Sequence, residues 1–243
     1  MSAPAPAPKK KKENIFINLI CNIAVPSLVL MYLSTPEWLG PQWGMIVALA
    51  FPLGYGVYDL LQRKKFNFFS IIGILSVLMT GVLNELKVEL FWYAVKEAAM
   101  PSLLGLSVLA SMGTKRPVVR ELIWNDQAID TEKVERVLNE RGLRADFERL
   151  LRNASFGVAA SFLLSAILNY GLARYLLKSP PGTVEFNAEF GKMGALSWPV
   201  ISLPTLIVFL IVFWRLISGI TRLTGMPLEE IMHGGAEKKP DAP

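Results

Sequence analysis

Apolar residues in this chain are gathered into blocks of about 20 positions, which short polar stretches separate. A helix needs about 20 apolar residues to cross a bilayer, whereas soluble domains alternate apolar and polar positions over shorter periods. The six blocks lie at about 15–34, 42–61, 67–83, 90–111, 153–177 and 194–216. The pattern predicts an all-α polytopic membrane protein, a six-transmembrane helical bundle.

The polar segments complete the predicted organisation. Residues 1–14 join an Ala-Pro repeat to four lysines, which predicts a disordered basic N-terminal arm. Transmembrane helices 1–4 then occupy 15–111 and helices 5–6 occupy 153–223, and 224–243 form a cytoplasmic tail. The arm and first block resemble a secretory signal, but the block is longer than a signal core and no clear cleavage site follows. We therefore expect an uncleaved first helix.

Residues 112–152 predict a small cytoplasmic helical hairpin. Asp130 or Thr131 can cap a short helix, and Gly142 can end it. The apolar stripe of that helix consists of Val134, Val137 and Leu138. A second helix runs straight into the fifth block, and we expect the hairpin to lie against the inner membrane surface.

Lysines and arginines are distributed unevenly between alternate polar segments. Nineteen lie in the arm, the 62–66 turn, the 112–152 stretch and the segment after the sixth block, and three lie in the opposite set. Positive residues stay on the cytoplasmic side of a membrane. This predicts a multi-pass protein of the bacterial inner membrane with both termini cytoplasmic.

Composition excludes several kinds of site. One cysteine, Cys21, and one histidine, His233, cannot build a disulfide, a cysteine cluster or a multi-histidine metal site, and neither standard nucleotide-phosphate loop occurs. We expect no metal, no cofactor and no catalytic residue. Nucleic acid is not expected either, because the nine basic residues of 112–152 are mixed with eight acidic ones.

Two charged residues, Lys96 and Glu97, stand within the fourth apolar block. Each charge near the centre of a membrane helix costs about 2.5–3.5 kcal/mol, so both need partners or water. They lie about 100° apart on a helix, and we expect each to reach a neighbouring helix rather than the other. The polar cluster formed with them consists of Asn22, Asn169 and Arg174. Pro101 would free the carbonyl of Glu97. Both a structural lock between helices and a substrate or proton site fit this pattern.

The segment between the fifth and sixth blocks carries a second polar set. It consists of Glu185, Asn187 and Glu189, near the predicted outer headgroups. Two carboxylates could perform acid/base chemistry there, although their four-residue spacing also suits a plain surface helix.

Several stretches carry a family resemblance. The unit YDLLQRKKFNFFSIIGILSVLMTG, with Ile71, Gly73, Thr80 and Gly81, and the stretch SFLLSAILNYGLA, with Asn169, resemble the intracellular septation protein A family of bacterial inner-membrane proteins. YAVKEAAMPSLLG and SPPGTVEFNAEFGKMGALSWPV are similar to an uncharacterised, related branch sometimes labelled transporter-like, over about residues 14–232. The 112–152 hairpin and the 178–193 outer loop depart from the septation proteins.

The resemblance implies a polytopic protein of cell-envelope maintenance or assembly that catalyses no reaction. Two alternatives stay open: a small-solute or proton-coupled transporter that uses Lys96 and Glu97, and a lipid-modifying membrane enzyme. The expected partners are membrane lipids and other inner-membrane proteins or a second copy of the chain.

Overall fold

Every regular element that the structure describes is a helix. The structure is a computed structural model that describes residues 19–63, 68–114, 117–123 and 130–231. The helices are α1 (Ile20–Leu33), α2 (Gly40–Arg63), α3 (Phe68–Glu85), α4 (Leu90–Ser111), α5 (Val118–Ile123), α6 (Thr131–Glu140), α7 (Arg144–Leu176), α8 (Val184–Thr224) and α9 (Leu228–Ile231). The all-α prediction is confirmed for these residues. The predicted basic arm and the end of the predicted tail lie outside them.

Two of the described helices, α7 and α8, are long and apolar enough to cross a membrane. They have 33 and 41 residues, and their most apolar stretches are 33% and 17% buried. Two shorter apolar helical segments are Ile20–Leu33 and Gly73–Glu85. The number of six spans stays a prediction.

Prolines coincide with irregular turns in two helices. The five-residue π-helical segments of α1, Ile20–Ala24 and Val29–Leu33, flank a short α-helical stretch that contains Pro26, and the π-helical segment of α8, Trp198–Ser202, contains Pro199. Proline has no N–H group to donate within a helix, so the local hydrogen-bond pattern must change around it. The helices continue through these turns rather than ending at them.

One helix start agrees with the sequence-based expectation, and another lies earlier than expected. α7 begins at Arg144, so the second helix of the predicted hairpin and the fifth block form one helix, as expected, but without a boundary at residue 153. α8 begins at Val184, because the hydroxyl of Thr183 accepts a hydrogen bond from the N–H of Phe186 at 3.2 Å. The predicted 178–193 outer loop therefore contains helical turns, in keeping with the alternative that the four-residue spacing of Glu185 and Glu189 suits a helix.

The described residues fall into two compact units. The first is drawn from Met1–Tyr93 with Arg174–Leu196, and the second from Ala94–Ala173 with Ser197–Pro243. In the first unit, α2 packs against both α1 and α3. The amino-terminal part of α8 also packs on α1, where a Cβ added at Gly191 would lie 2.8 Å from the carbonyl oxygen of Ser27.

The second unit has a buried apolar core, and the short helix α6 packs into it. The carboxylate of Asp130 caps α6 by accepting from the N–H of Lys133 at 3.0 Å, and Gly142 follows the helix at φ 68°, as predicted. The core consists mainly of Val108, Val119, Val134, Leu138, Phe147, Leu151, Leu216, Ile217, Ile220, Met226 and Ile231. The apolar stripe of α6 thus packs inside this core. Residues of α8 and α9 cover the stripe, and the position of the hairpin against the inner membrane surface stays a prediction.

Candidate functional site

Lys96 and Glu97 form an ion pair within α4. Lys96 Nζ lies 2.8 Å from Glu97 Oε1, and the two side chains are 8% and 22% exposed. Opposite charges that are withdrawn from water stabilise each other strongly when they meet at hydrogen-bond distance. The pair neutralises the charge that α4 would otherwise carry into an apolar environment.

The prediction that these two residues would not pair with each other is wrong. Their Cα–Cβ directions differ by about 100°, as for any neighbours on an α-helix. Lysine and glutamate, however, have long stems that bring their charged ends together around the helix surface. Pro101 lies inside α4, four residues after Glu97, as the sequence indicates.

The other residues of the predicted intramembrane cluster are divided between the two units. Asn169 donates within its own helix, to the carbonyl oxygen of Ser165 at 2.8 Å and to its hydroxyl at 3.3 Å. Asn22 is half-buried in α1, and Arg174 is exposed near the end of α7, and both belong to the first unit. The structure therefore brings Lys96 and Glu97 together and gives Asn169 a hydrogen-bonding role inside α7.

The outer polar residues Glu185, Asn187 and Glu189 lie on the first turns of α8 and have three different environments. Glu185 is exposed, whereas Asn187 is fully buried. The side-chain amide of Asn187 donates to the carbonyl oxygen of Pro41 at 2.7 Å, which ties α8 to the start of α2. The asparagine, which the sequence offered as a site residue, therefore joins two helices.

Glu189 completes the hydrogen bonds of the turn between α7 and α8. Its Oε2 accepts from the backbone N–H groups of Lys178 and Ser179 at 2.7 and 2.9 Å, and its Oε1 accepts from the Ser179 hydroxyl at 2.8 Å. Burial raises the pKa of this carboxyl, but these donors and the nearby Lys192 outweigh burial and hold the pKa below its ordinary value. A carboxylate held in this way serves the fold more readily than proton transfer.

An aromatic cluster that the sequence reading missed lies beside these residues in the first unit. The ring of Tyr93 packs edge-on against Phe186, with centroids 5.1 Å apart, and Phe186 stacks with Phe190 at 5.9 Å. Tyr93 is fully buried, and neither its hydroxyl nor Oδ1 of Asn187 has a hydrogen-bond partner among the described residues. The four-residue spacing of Phe186 and Phe190 is the sequence signal that could have shown it.

A groove of about 850 Å³ opens between α7 and the carboxyl-terminal part of α8 in the second unit. Three arginines line it together with apolar side chains: Arg149, Arg215 and Arg222. We call it the arginine groove. The sequence pattern used Arg149 and Arg222 only as topology signals and gave Arg215 no role, because these arginines stand far apart along the chain.

Comparison of the chain with models of known families, with characterised proteins and with solved structures finds no match.

Proposed function

We propose that the chain is a multi-pass protein of the bacterial inner membrane, with six spans and both termini in the cytoplasm. The observation that carries the proposal is the exposed apolar surface of α8, whose most apolar stretch is only 17% buried. A core helix of a soluble protein would bury most of such a stretch, since large exposed apolar patches are rare on soluble monomers. Lipid is the solvent that such a surface fits.

Three further helices have lengths that suit membrane spans. α2, α3 and α4 have 24, 18 and 22 residues. At about 1.5 Å per residue they would extend for about 27–36 Å, close to the roughly 30 Å of a hydrocarbon core. The 19-to-3 distribution of lysine and arginine between alternate segments supports the orientation.

Reporter fusions test this topology. Green fluorescent protein fused after the last residue should fluoresce, and alkaline phosphatase inserted near residue 87 or 181 should be active, because the first reporter works in the cytosol and the second in the periplasm. The reverse pattern, or a chain that alkaline carbonate washes out of the membrane, would contradict the proposal.

Within the membrane, the chain supports the maintenance or assembly of the cell envelope without catalysing a reaction. It binds lipids and other inner-membrane proteins, or a second copy of itself, through its exposed helix faces. Two observations support this function over chemistry at the polar residues: Lys96 and Glu97 neutralise each other at 2.8 Å, and Glu189 is occupied by three hydrogen bonds. The resemblance to the septation proteins favours the same function.

Transport is the second candidate function, and one observation favours it. The Lys96–Glu97 pair lies inside α4 just before Pro101, where a proline removes a backbone hydrogen bond. Charged pairs within membrane helices often mark pathways for protons or solutes.

Substitution of the pair separates the two functions. If it is structural, Glu97→Gln should destabilise the protein by up to about 3–5 kcal/mol, because the ion pair with the buried Lys96 is lost, whereas Lys96→Met combined with Glu97→Met should cost less and still complement a deletion strain for envelope integrity. If it transports, the double variant should reach the membrane normally but lose proton movement in proteoliposomes, measured with a pH-sensitive dye. Absence of any envelope defect in the deletion strain, together with such proton movement, would overturn the first function.

A further inference from the structure

The arginine groove is built from two helices in close contact. A Cβ added at Gly157 of α7 would lie 2.6 Å from a methyl group of Val212, and one added at Gly219 of α8 would lie 2.6 Å from a methyl group of Leu150. Glycines let helix backbones approach at such points. The walls of the groove are therefore held by direct packing of α7 on α8, along the length where Arg149 and Arg215 stand.

Among the residues that the structure describes, none pairs with the three arginines of the groove. Arg149, Arg215 and Arg222 are exposed, and among the described residues no ion pair or hydrogen bond engages their guanidinium groups. Arg120, in the same unit, pairs with Glu148 at 3.0 Å and with Glu135 at 3.5 Å. Arginine thus forms ion pairs elsewhere in this unit, whereas no described acidic side chain pairs with the arginines of the groove.

The charge of the groove is positive. Among the described residues that line it, Asp146 is the one acid beside three arginines. Guanidinium groups hold phosphate through paired, charge-assisted hydrogen bonds, so a phosphate group suits the unpaired arginines.

The membrane-side wall of the groove is apolar and exposed. Ile211 is 53% exposed and Trp214 is 67% exposed. Both belong to the end of the sixth apolar block, where the predicted span meets the cytoplasm. Tryptophan is common at this depth because its ring suits the boundary between headgroups and acyl chains. An occupant of the groove thus meets cations at one end and hydrocarbon-like side chains at the other.

We propose that the arginine groove binds an anionic diacyl phospholipid of the cytoplasmic leaflet. Arg149, Arg215 and Arg222 hold the headgroup phosphate, and an acyl chain lies along Ile211 and Trp214. Basic pockets between membrane helices on the cytoplasmic side are suited to such headgroups. The inference rests on the proposed membrane location and adds a specific lipid class to it.

Native mass spectrometry of the full chain in detergent tests the proposal. The protein is offered phosphatidylglycerol and phosphatidylcholine with identical acyl chains. We expect about tenfold more retained phosphatidylglycerol, since each arginine near the headgroup adds to the attraction. Arg149→Gln, Arg215→Gln and Arg222→Gln together should bring the two lipids close to parity, and Arg222→Gln alone should reduce the preference in part.

A control variant removes the same charge elsewhere. Arg136→Gln, Arg144→Gln and Arg174→Gln together change three exposed arginines that do not line the groove, and should keep the preference of the wild type. Equal retention of both lipids by the wild type, or equal preference in the two triple variants, would overturn the proposal.

Two further measurements identify the source of any failure. Soluble glycerol phosphate should not displace the bound lipid at millimolar concentration, and displacement would show that the groove takes a free phosphate instead. Membrane fractionation of the wild type is read independently, so loss of lipid preference in a chain that stays in the membrane contradicts the groove and leaves the proposed function intact.

Discussion

The two ends of α8 use polar residues in opposite ways. At the amino-terminal segment, residues 184–193, Asn187 donates to the Pro41 carbonyl and Glu189 accepts from two backbone N–H groups and a hydroxyl. At the carboxyl-terminal end, Arg215 and Arg222 line a groove and engage no described partner. The first set satisfies backbone N–H and C=O groups of neighbouring segments, and the second set is available to a ligand.

The difference shows why residue type alone is a poor guide to a site in this chain. Carboxylates such as Glu185 and Glu189 suggest chemistry, and basic residues near a membrane suggest only orientation. Hydrogen bonding reverses that ranking, because a group whose bonds are satisfied inside the fold has little left to offer a ligand. Substitutions at the two ends should therefore separate stability from binding.

Among substitutions at the two ends of α8, Gly191→Ala should have the largest effect on stability. The new Cβ would meet the backbone oxygen of Ser27 at 2.8 Å, and backbone cannot move aside as a flexible side chain can. Overpacking of this kind costs about 1–3 kcal/mol. The free energy of unfolding, measured by SDS titration in mixed micelles, should fall by that amount.

Gly171→Ala in α7 is the matched control. Nothing lies within 4 Å of a Cβ added there, so the variant should be at least as stable as the wild type. Equal behaviour of the two alanine variants would show that α1 and the amino-terminal segment of α8 do not pack as described.

Asn187→Ala should have the next largest effect. It removes the part-buried hydrogen bond to the carbonyl oxygen of Pro41, which costs about 1–3 kcal/mol, and this cost is partly offset because Oδ1 of Asn187 has no partner among the described residues. Asn153→Ala, in the exposed lining of the groove, should change the free energy of unfolding by less than about 0.5 kcal/mol. A loss at Asn153 as large as that at Asn187 would remove the contrast between the two ends.

Glu189 should give a smaller, pH-dependent effect. Because its pKa is held below the ordinary value, the ionised carboxylate stabilises the fold above that value, and this stability is lost as pH falls through the lowered pKa of the folded state. Thermal unfolding in detergent between pH 7 and pH 3 should show a drop that Glu189→Gln reduces.

Glu185→Gln is the comparison for that measurement, because Glu185 is exposed on the same segment. It should keep the pH profile of the wild type. A profile that Glu185→Gln changes as much as Glu189→Gln would place the titration elsewhere.

The smallest effect on stability is expected from the arginine groove. Each of the substitutions Arg149→Gln, Arg215→Gln and Arg222→Gln should shift the free energy of unfolding in lipid-free detergent by less than about 0.5 kcal/mol, because no described contact is lost. A large loss without lipid would show that the arginines hold the fold rather than a ligand.

The sequence predicts the bounds of a helix well where the length of an apolar run sets them. It predicts them less well where a capping side chain sets them. The fourth block matches α4, Leu90–Ser111, because a glutamate and a polar turn end the apolar run on either side. The start of α8 at Val184 depended on the cap by Thr183, which stands inside a polar stretch that looked like a loop. The continuity of α7 was predictable because no glycine or proline interrupts its first turns.

The candidate sites also differ in how far the sequence predicts them. The sequence shows that Lys96 and Glu97 need neutralisation, but their pairing depends on side-chain reach rather than on helical angle. The arginine groove arises only when α7 packs on α8, since its arginines come from distant parts of the chain. Contacts across such distances leave no local pattern to read.

The contacts between α6 and the last described residues affect the order in which the chain folds during its synthesis. The carbonyl oxygen of Ile231 accepts from the N–H of Asp130 at 2.8 Å, and Glu230 meets Lys133, 97 positions earlier. A ribosome releases α6 long before it releases these partners. The short helix therefore waits, with part of its apolar stripe uncovered, until the ribosome has released Ile231, and during that interval it is open to chaperones and proteases.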